Sequence, residues 1–333
     1  MSTIGIIANP SSGKDIRRLV SHATTVDNAE KINIVERIVL GAQAFGVKNF
    51  FIMPDTYQIG YKVEDNLRTL GELTSKISIL NMRITGSMED TVRAVEYMEN
   101  NDVDCLIVLG GDGTSRAAAK VLKNIPLISL STGTNNVYPE MIEGTTAGVA
   151  AAVIACKKYD INKICRRDKR IEIYKNGELI DIALIDAVIS KNIVVGAKAI
   201  WEIEDILKII VSRAHPASIG FSSIVGCKKI VNREDNFGIC VDLTERKNKI
   251  MAPIAAGVIK PIFMGDEENI DLNKEYKFIA ETNGTIALDG EREITFRSGE
   301  EFIFRITRNG PLRVNINNTL ELCGRNNFFK CDW

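Results

Sequence analysis

Leu109-Gly110-Gly111-Asp112-Gly113-Thr114 is the stretch on which the reading of this chain turns. The apolar run Asp104-Cys105-Leu106-Ile107-Val108-Leu109 leads into it, and Ser115-Arg116-Ala117-Ala118-Ala119-Lys120-Val121-Leu122, of helical composition, leaves it. Buried strand, glycine turn and helix form the layout of a phosphate-binding turn. Glycines without Cβ let an anion approach the backbone. Free N–H groups at the helix start point at the anion, and the helix dipole favours its charge. Asp112 is the anomaly, because a carboxylate repels phosphate unless a metal ion or a transferable proton lies between them. Asp-Gly is also an ordinary turn dipeptide, so this stretch alone leaves a plain strand–helix connection open.

Outward from this turn the chain alternates. Thr3-Ile4-Gly5-Ile6-Ile7-Ala8 reads as a buried first strand ending in Asn9-Pro10-Ser11-Ser12-Gly13-Lys14. Residues 15–20 suit a short helix. Residues 28–44 carry Ile34, Val35, Ile38, Val39 and Ala42 at helical spacing. Strands follow at 50–53 and from Ile77, with Val63, Leu67 and Leu70 suggesting a helix between them. Ser87 resembles a cap, with Val92, Val95 and Met98 on one helix face beyond it. Pro126-Leu127-Ile128-Ser129-Leu130 is a fifth apolar run, ending in Ser131-Thr132-Gly133-Thr134-Asn135-Asn136. Strands alternating with helices predict a parallel sheet covered on both faces. Ligands of such sheets sit at the carboxyl ends of strands, where all three polar turns fall.

The texture changes near residue 135. An Ala-rich helix is expected over 144–157, and then hairpin dipeptides accumulate: Asn176-Gly177, Asn283-Gly284, Asp289-Gly290 and Asn309-Gly310. A further helix is expected over 202–214. The fold class is therefore α/β plus mainly β: an N-terminal parallel α/β sheet and a C-terminal antiparallel, sandwich-like domain. The expected division is 1–135 for nucleotide binding, 136–310 for the β-rich substrate domain, and 311–333 as a C-terminal segment returning to the first. A cleft is expected between the two domains.

Composition narrows the function classes. The 333 residues include 45% hydrophobic and 26% charged residues, enough for two ordinary cores. A net charge of −1 gives no general attraction to nucleic acid or anionic membranes. Seven cysteines without a C-x-x-C pair suit reduced thiols in the cytoplasm. Two histidines argue against a Ser-His-Asp triad or a His-rich zinc site. The first residues lack a signal-peptide pattern, and the small-apolar run 147–156 is too short for a bilayer. A cytoplasmic protein without stable membrane association is the expectation. Lys163, Arg166, Arg167, Lys169 and Arg170 read as a solvated basic face, with contact to nucleotide phosphates as the alternative.

Taken together, the three turns are similar to those of the superfamily that holds NAD kinases, diacylglycerol kinases and sphingosine kinases. Its marks are a first-strand Asn-Pro-x-x-Gly turn, a Gly-Gly-Asp-Gly-Thr turn and a Gly-Thr-x-Asn-type turn. Here they stand at Asn9 to Lys14, Gly110 to Thr114 and Gly133 to Asn136. Leu288-Asp289-Gly290-Glu291 resembles the late Asp-Gly-Glu of the lipid-kinase branch. The opening, Gly5 to Val20, looks closest to AcoX-type proteins, the NAD kinase relatives associated with acetoin catabolism. The resemblance runs from residue 4 to about 330. It departs from NAD kinases at their Asn-Glu pair, where Ala183-Leu184-Ile185-Asp186-Ala187-Val188 offers a carboxylate at Asp186 without the Asn. The third turn also has more of the lipid-kinase form.

The resemblance implies an ATP-dependent kinase acting on a hydroxyl, first of all the ribose 2′-OH of NAD or NADH to give NADP(H). It implies donor binding by Asn9, Ser12, Gly13, Lys14, Gly110, Gly111, Gly113, Thr114, Thr132, Gly133, Thr134, Asn135 and Asn136. Acceptor contacts would come from Asn135, Asn136 and Asp186, and Mg²⁺ would be held near Asp112 and Asp289. The base is Asp112 by likeness to NAD kinases and Glu291 by likeness to lipid kinases. A lipid or small diol kinase and a non-catalytic nucleotide-binding regulator are the other readings. A homo-oligomer is expected.

Overall fold

The computed structural model describes residues 2–12, 22, 24, 26–191 and 203–330, with the backbone alone at 292 and 293. The helix expected over 15–20 lies outside the described residues. The apolar runs of the N-terminal half form β1 (Thr3–Ala8), β2 (Asn49–Ile52), β3 (Lys76–Ile79), β4 (Cys105–Gly110) and β5 (Leu127–Ser131). They pair in parallel in the order β3-β2-β1-β4-β5. Alternation along the strands feeds two cores. Ile4, Ile6, Ile107 and Leu109 face one side, where α1 (Asn28–Ala44), α2 (Ile59–Thr69) and α5 (Gly144–Ala155) pack. Ile7, Leu106 and Val108 face the other, against α3 (Met88–Glu99) and α4 (Asp112–Val121).

Local chemistry explains the helix starts. Asp27 caps α1 by accepting from Glu30 N at 2.7 Å, and Ser87 caps α3 through Glu89 N. α1 and α5 cross so closely that a Cβ at Gly148 would lie 2.3 Å from Ile38 O. The alanine-rich face of α5 therefore meets α1 nearly backbone to backbone.

After α6 (Ile161–Ile164), strand β6 (Cys165–Arg167) joins the first sheet, and β7 (Arg170–Lys175) begins the second unit. One antiparallel sheet there combines β9 (Asp186–Ser190), β10 (Ile206–Val211), β11 (Phe237–Asp242), β14 (Glu267–Asp271), β16 (Gly284–Leu288) and β17 (Glu291–Phe296). A second combines β7, β8 (Glu178–Ala183), β15 (Glu275–Ile279) and β18 (Glu301–Thr307). Ile171, Ile173, Phe302 and Phe304 from one sheet share a core with Ile189, Ile210, Ile286 and Leu288 from the other, so the pair is a sandwich. A separate hairpin, β12 (Asn248–Ala255) with β13 (Val258–Met264), and a short α7 (Phe221–Gly226) cover part of the outer face. The chain then returns: β19 (Leu312–Val314) pairs with β5 and β6, and α8 (Ile316–Arg325) packs on α5. Near these crossings Asp168 lies 3.6 Å from Arg213 and 3.2 Å from Arg313.

Several sequence expectations change here: neither Asn283-Gly284 nor Asn309-Gly310 joins two paired strands, since β15 pairs with β18 and β19 with β5 and β6. Within the helix expected over 202–214, residues 206–211 are instead strand β10, paired on both sides by β9 and β11. Its Ile206-Leu207-Lys208-Ile209-Ile210-Val211 core is rich in β-branched residues, and pairing on both edges overrides the helix-like spacing. The basic cluster is not one solvated face. Lys163 and Arg166 are exposed, but Arg167 donates to Lys123 O at 2.7 Å and Arg170 to the buried Glu172 at 2.9 Å.

Lys169 is 2% exposed and donates to Phe237 O at 2.7 Å. Burial lowers its pKa from 10.5 to about 8. Below pH 8 the folded state carries the full cost of a buried ammonium, on the order of 3 kcal/mol. That cost is relieved as pH rises from 8 toward 10.5, the unfolded value. Lys169→Met should therefore be stabilising relative to wild type near pH 7, and its advantage should shrink toward pH 10.5. Urea unfolding of both proteins across that range tests it; a pH-independent difference would contradict it.

Candidate active site

The three polar turns meet at the carboxyl ends of β1, β4 and β5. Asn9 Nδ2 donates to Thr114 Oγ1 at 3.0 Å, joining the first turn to the second. Thr132 Oγ1 donates to Ser12 Oγ at 3.1 Å, joining the third to the first. Asp112, the first residue of α4, accepts from Val137 N at 3.0 Å and Tyr138 N at 2.8 Å, joining the second to the third. Within the third turn, Asn136 Nδ2 donates to Ser131 Oγ at 2.8 Å. Gly13 and Lys14 lie outside the described residues. Lys31, from α1, sits behind the first turn and donates to Asn9 O and Ser12 O at 3.0 and 2.8 Å.

A fourth turn arrives from the β-sandwich. Asp289 (φ 49°) and Gly290 (φ 84°) form the left-handed pair that closes the β16–β17 hairpin. This places Glu291 over the start of α4. A Cβ at Gly113 would lie 2.3 Å from Glu291 Oε1, so glycine here is what admits the carboxylate. The fully buried Arg116 of α4 reaches toward the same turn. Its guanidinium lies 3.3 Å from Asp181, 3.4 Å from Glu291 and 4.0 Å from Asp289. Lys120 adds a contact of 2.9 Å to Asp181.

The two acidic residues of this turn differ sharply. The Asp289 side chain is 0% exposed, and its oxygens accept from Leu184 N and Ile185 N at 2.8 Å and Asp186 N at 3.2 Å. Burial pushes its pKa up, against the Arg116 charge and these N–H groups. The expectation of Asp289 as a metal ligand meets this geometry: its oxygens are turned into the β8–β9 connection. The Glu291 side chain is 45% exposed and faces the cleft.

That cleft has a volume of about 440 Å³. Asn9, Ser12, Gly111, Asp112, Gly113, Thr114, Asn136, Asp289 and Glu291 line it, together with Asp55 from the segment after β2 and Asp90 from the first turn of α3. Thr132, Gly133, Thr134 and Asn135 are not among the lining residues, and neither is Asp186, which is 5% exposed in β9. Asp55 accepts from Tyr57 N at 2.7 Å and Ile59 N at 2.9 Å; burial nevertheless pushes its pKa up. At Asp90 burial pulls the same way, but donors from Thr85, Gly86 and Arg93 outweigh it and hold the pKa below the usual carboxylate value. Neither acid was singled out in the sequence. Their signal was position: Asp55 follows Pro54 just past a strand end. Arg116 and Lys31 carried no such signal, because each reads as a polar position on a helix.

The fold, an α/β sheet joined to a β-sandwich, is of the NAD kinase type. Residues 4–159 match the ATP-NAD kinase N-terminal domain family, and residues 169–309 match the acetoin catabolism protein X C-terminal domain family. The crystal structure of yeast NADH kinase complexed with NADH shares the fold, with a TM-score of 0.53 at 13% identity, over 100% of this chain and 89% of that one. Acetoin catabolism protein X of Cupriavidus necator is 35% identical over 308 residues, covering 90% of this chain and 86% of the relative. The chain belongs to the acetoin catabolism protein X family. Among the described residues, no helix is long and apolar enough to cross a membrane.

Arg116→Met should lower stability by about 3–5 kcal/mol, since it leaves the Asp289 carboxylate buried without this cation and Asp181 with Lys120 in place of two. Arg116→Lys should recover part of the loss. Urea unfolding measures both, and a loss below about 1 kcal/mol for the Met variant would show that the network does not hold the units together.

Proposed function

We propose that the chain is an ATP-dependent kinase that phosphorylates a hydroxyl, with the ribose 2′-OH of NAD or NADH as acceptor. The observation that carries this reading is the convergence of three strand-end turns, a helix N-terminus and the half-exposed Glu291 on one cleft. The family match of residues 4–159 supports it.

In this reading the turns and the start of α4 hold the donor phosphates through backbone N–H groups. The acceptor oxygen attacks the γ-phosphorus, the bond to the β–γ bridging oxygen breaks, and ADP leaves with that electron pair. The hydroxyl proton passes to Glu291. Asp112 braces the third turn instead, because its oxygens already accept from Val137 and Tyr138. Arg116, 3.4 Å away, pairs with the Glu291 carboxylate and aims it at the helix start.

The acidic groups fit a Mg²⁺ that enters on the nucleotide and keeps most of its waters, rather than a protein cage. Among the described residues no three His, Cys, Asp or Glu side chains are grouped as ligands. Asp112, at the start of α4, is the carboxylate that would steady such an ion, whose chemistry would be to neutralise charge on the phosphates.

The assignment of Glu291 as base is the one implied by likeness to lipid kinases. It keeps a lipid or small diol as a second acceptor class. Labelled ATP tested against NAD, NADH, diacylglycerol and short diols decides the acceptor; transfer to none of them would sink the kinase reading. Glu291→Gln should slow single-turnover chemistry by about 10²–10⁴ with ATP binding kept. Asp112→Asn should act mainly on ATP binding. Near-normal chemistry in Glu291→Gln would return the role of base to Asp112.

A further inference from the structure

We propose that the cleft has a second, apolar end that seats the base of the phosphate donor, with Ile84 and Met88 as its specificity-determining side chains, so that a nucleoside triphosphate is taken in preference to inorganic polyphosphate. The inference rests on the kinase reading and deepens it, since it says which class of donor the cleft selects.

The cleft follows the edge of the first sheet. Its lining comes from the ends of β4, β1 and β2 and from the segment that joins β3 to α3, and these strands are neighbours in the order β3-β2-β1-β4. Three strand spacings make about 14 Å, enough for an extended nucleotide laid across the strand ends. The lining changes character along this line. At the β4 end it is Gly111, Asp112, Gly113 and Thr114, all small or polar, and the kinase reading places the donor phosphates there. At the β2 and β3 end it is Met53, Pro54, Ile84 and Met88. Ile84 is 40% exposed and Met88 is partly exposed. A lone exposed isoleucine would mean little, but four apolar residues gathered on one concave wall form a seat for an apolar surface.

The same end is unsuited to phosphate. Asp90 accepts from Thr85 N at 3.0 Å and from Gly86 N at 2.7 Å, and Ser87 Oγ accepts from Glu89 N at 3.3 Å. Asp55 accepts from Tyr57 N and Ile59 N. The backbone donors that an anion would use in this loop and at the start of α2 are therefore engaged by the protein's own side chains, and an arriving phosphate meets carboxylates instead. An uncharged heterocycle meets no such penalty, because its flat faces pack on Ile84 and Met88. One cleft thus offers a polar end for phosphates and, about three strands away, an end that fits the base.

Inorganic tripolyphosphate carries the phosphates without the base, which makes it the control. Calorimetric titration of the full chain with ATP and, separately, tripolyphosphate, both with Mg²⁺, reads the effect. Wild type should bind ATP about tenfold or more tightly than tripolyphosphate, although the latter is the more highly charged anion. Ile84→Ala should weaken ATP binding about fivefold, and Ile84→Ala combined with Met88→Ala about twentyfold, with tripolyphosphate binding unchanged in both. Ile84 is already 40% exposed, so its truncation should leave the melting temperature unaltered. Wild type binding the two ligands equally, or variants that keep full ATP affinity, overturns the apolar end and leaves the kinase reading standing. Equal losses for ATP and tripolyphosphate in the variants also overturn it, since a general distortion of the cleft would produce them. A wild-type chain that binds neither ligand overturns the kinase reading and this inference with it.

Discussion

The Arg116 guanidinium, buried between α4 and the β-sandwich, is the interaction on which the rest of the site depends. It belongs to the helix that starts at the glycine turn, yet it meets Asp181, Asp289 and Glu291, three carboxylates of the second unit. A buried cation with several partial partners is costly to leave unmatched. The helix and the Asp289-Gly290 hairpin are therefore held in one relative placement, and that placement brings Glu291 against Gly113. Loss of any one of these elements would move the carboxylate away from the helix start.

Asp112 resolves differently from what its neighbours suggest. A carboxylate in a glycine-rich phosphate turn invites a catalytic role. Here its oxygens accept from the backbone of Val137 and Tyr138, which fixes the polar turn after β5. Asp289 shows the same economy, holding the N–H groups of 184–186 while Glu291, two residues on, stays half exposed. Short acids near the turns do the bracing, and the longer glutamate side chain reaches the cleft. This division follows from reach: an aspartate beside a turn meets backbone donors before it can meet a ligand.

Much of the architecture was readable because its signals are local. The helix at residues 28–44 has apolar spacing, an Asp cap and a glycine stop, and it forms over that span. The parallel strands follow from continuous apolar runs, and the hairpins at Asn176-Gly177 and Asp289-Gly290 from their left-handed residues. The strand Ile206–Val211 was not readable as a strand, because its apolar residues also suit a helix and its identity comes from two neighbours distant in sequence. Strand Cys165–Arg167 is three residues long, too short for any periodicity. At the site, the glycine turns were visible, but the partners that position them were not. Lys31 and Arg116 look like ordinary helix-surface cations, and their burial is a consequence of packing between segments that the sequence does not place side by side.

Electrostatics connects these observations to the chemistry. The described cleft walls bring five acidic residues and no basic side chain, while the proposed donor is itself an anion. Two sources of positive potential would offset this: the N–H groups at the start of α4 and the cation a nucleoside triphosphate carries with it. Neither presents a mobile basic side chain to the ligand. An acceptor hydroxyl can then approach Glu291 without competing with a lysine or arginine for its carboxylate, while Arg116 holds that group from the buried side. In the proposed reaction, charge neutralisation would thus come from the back of the cleft and from the ligand, and proton transfer would belong to its open edge.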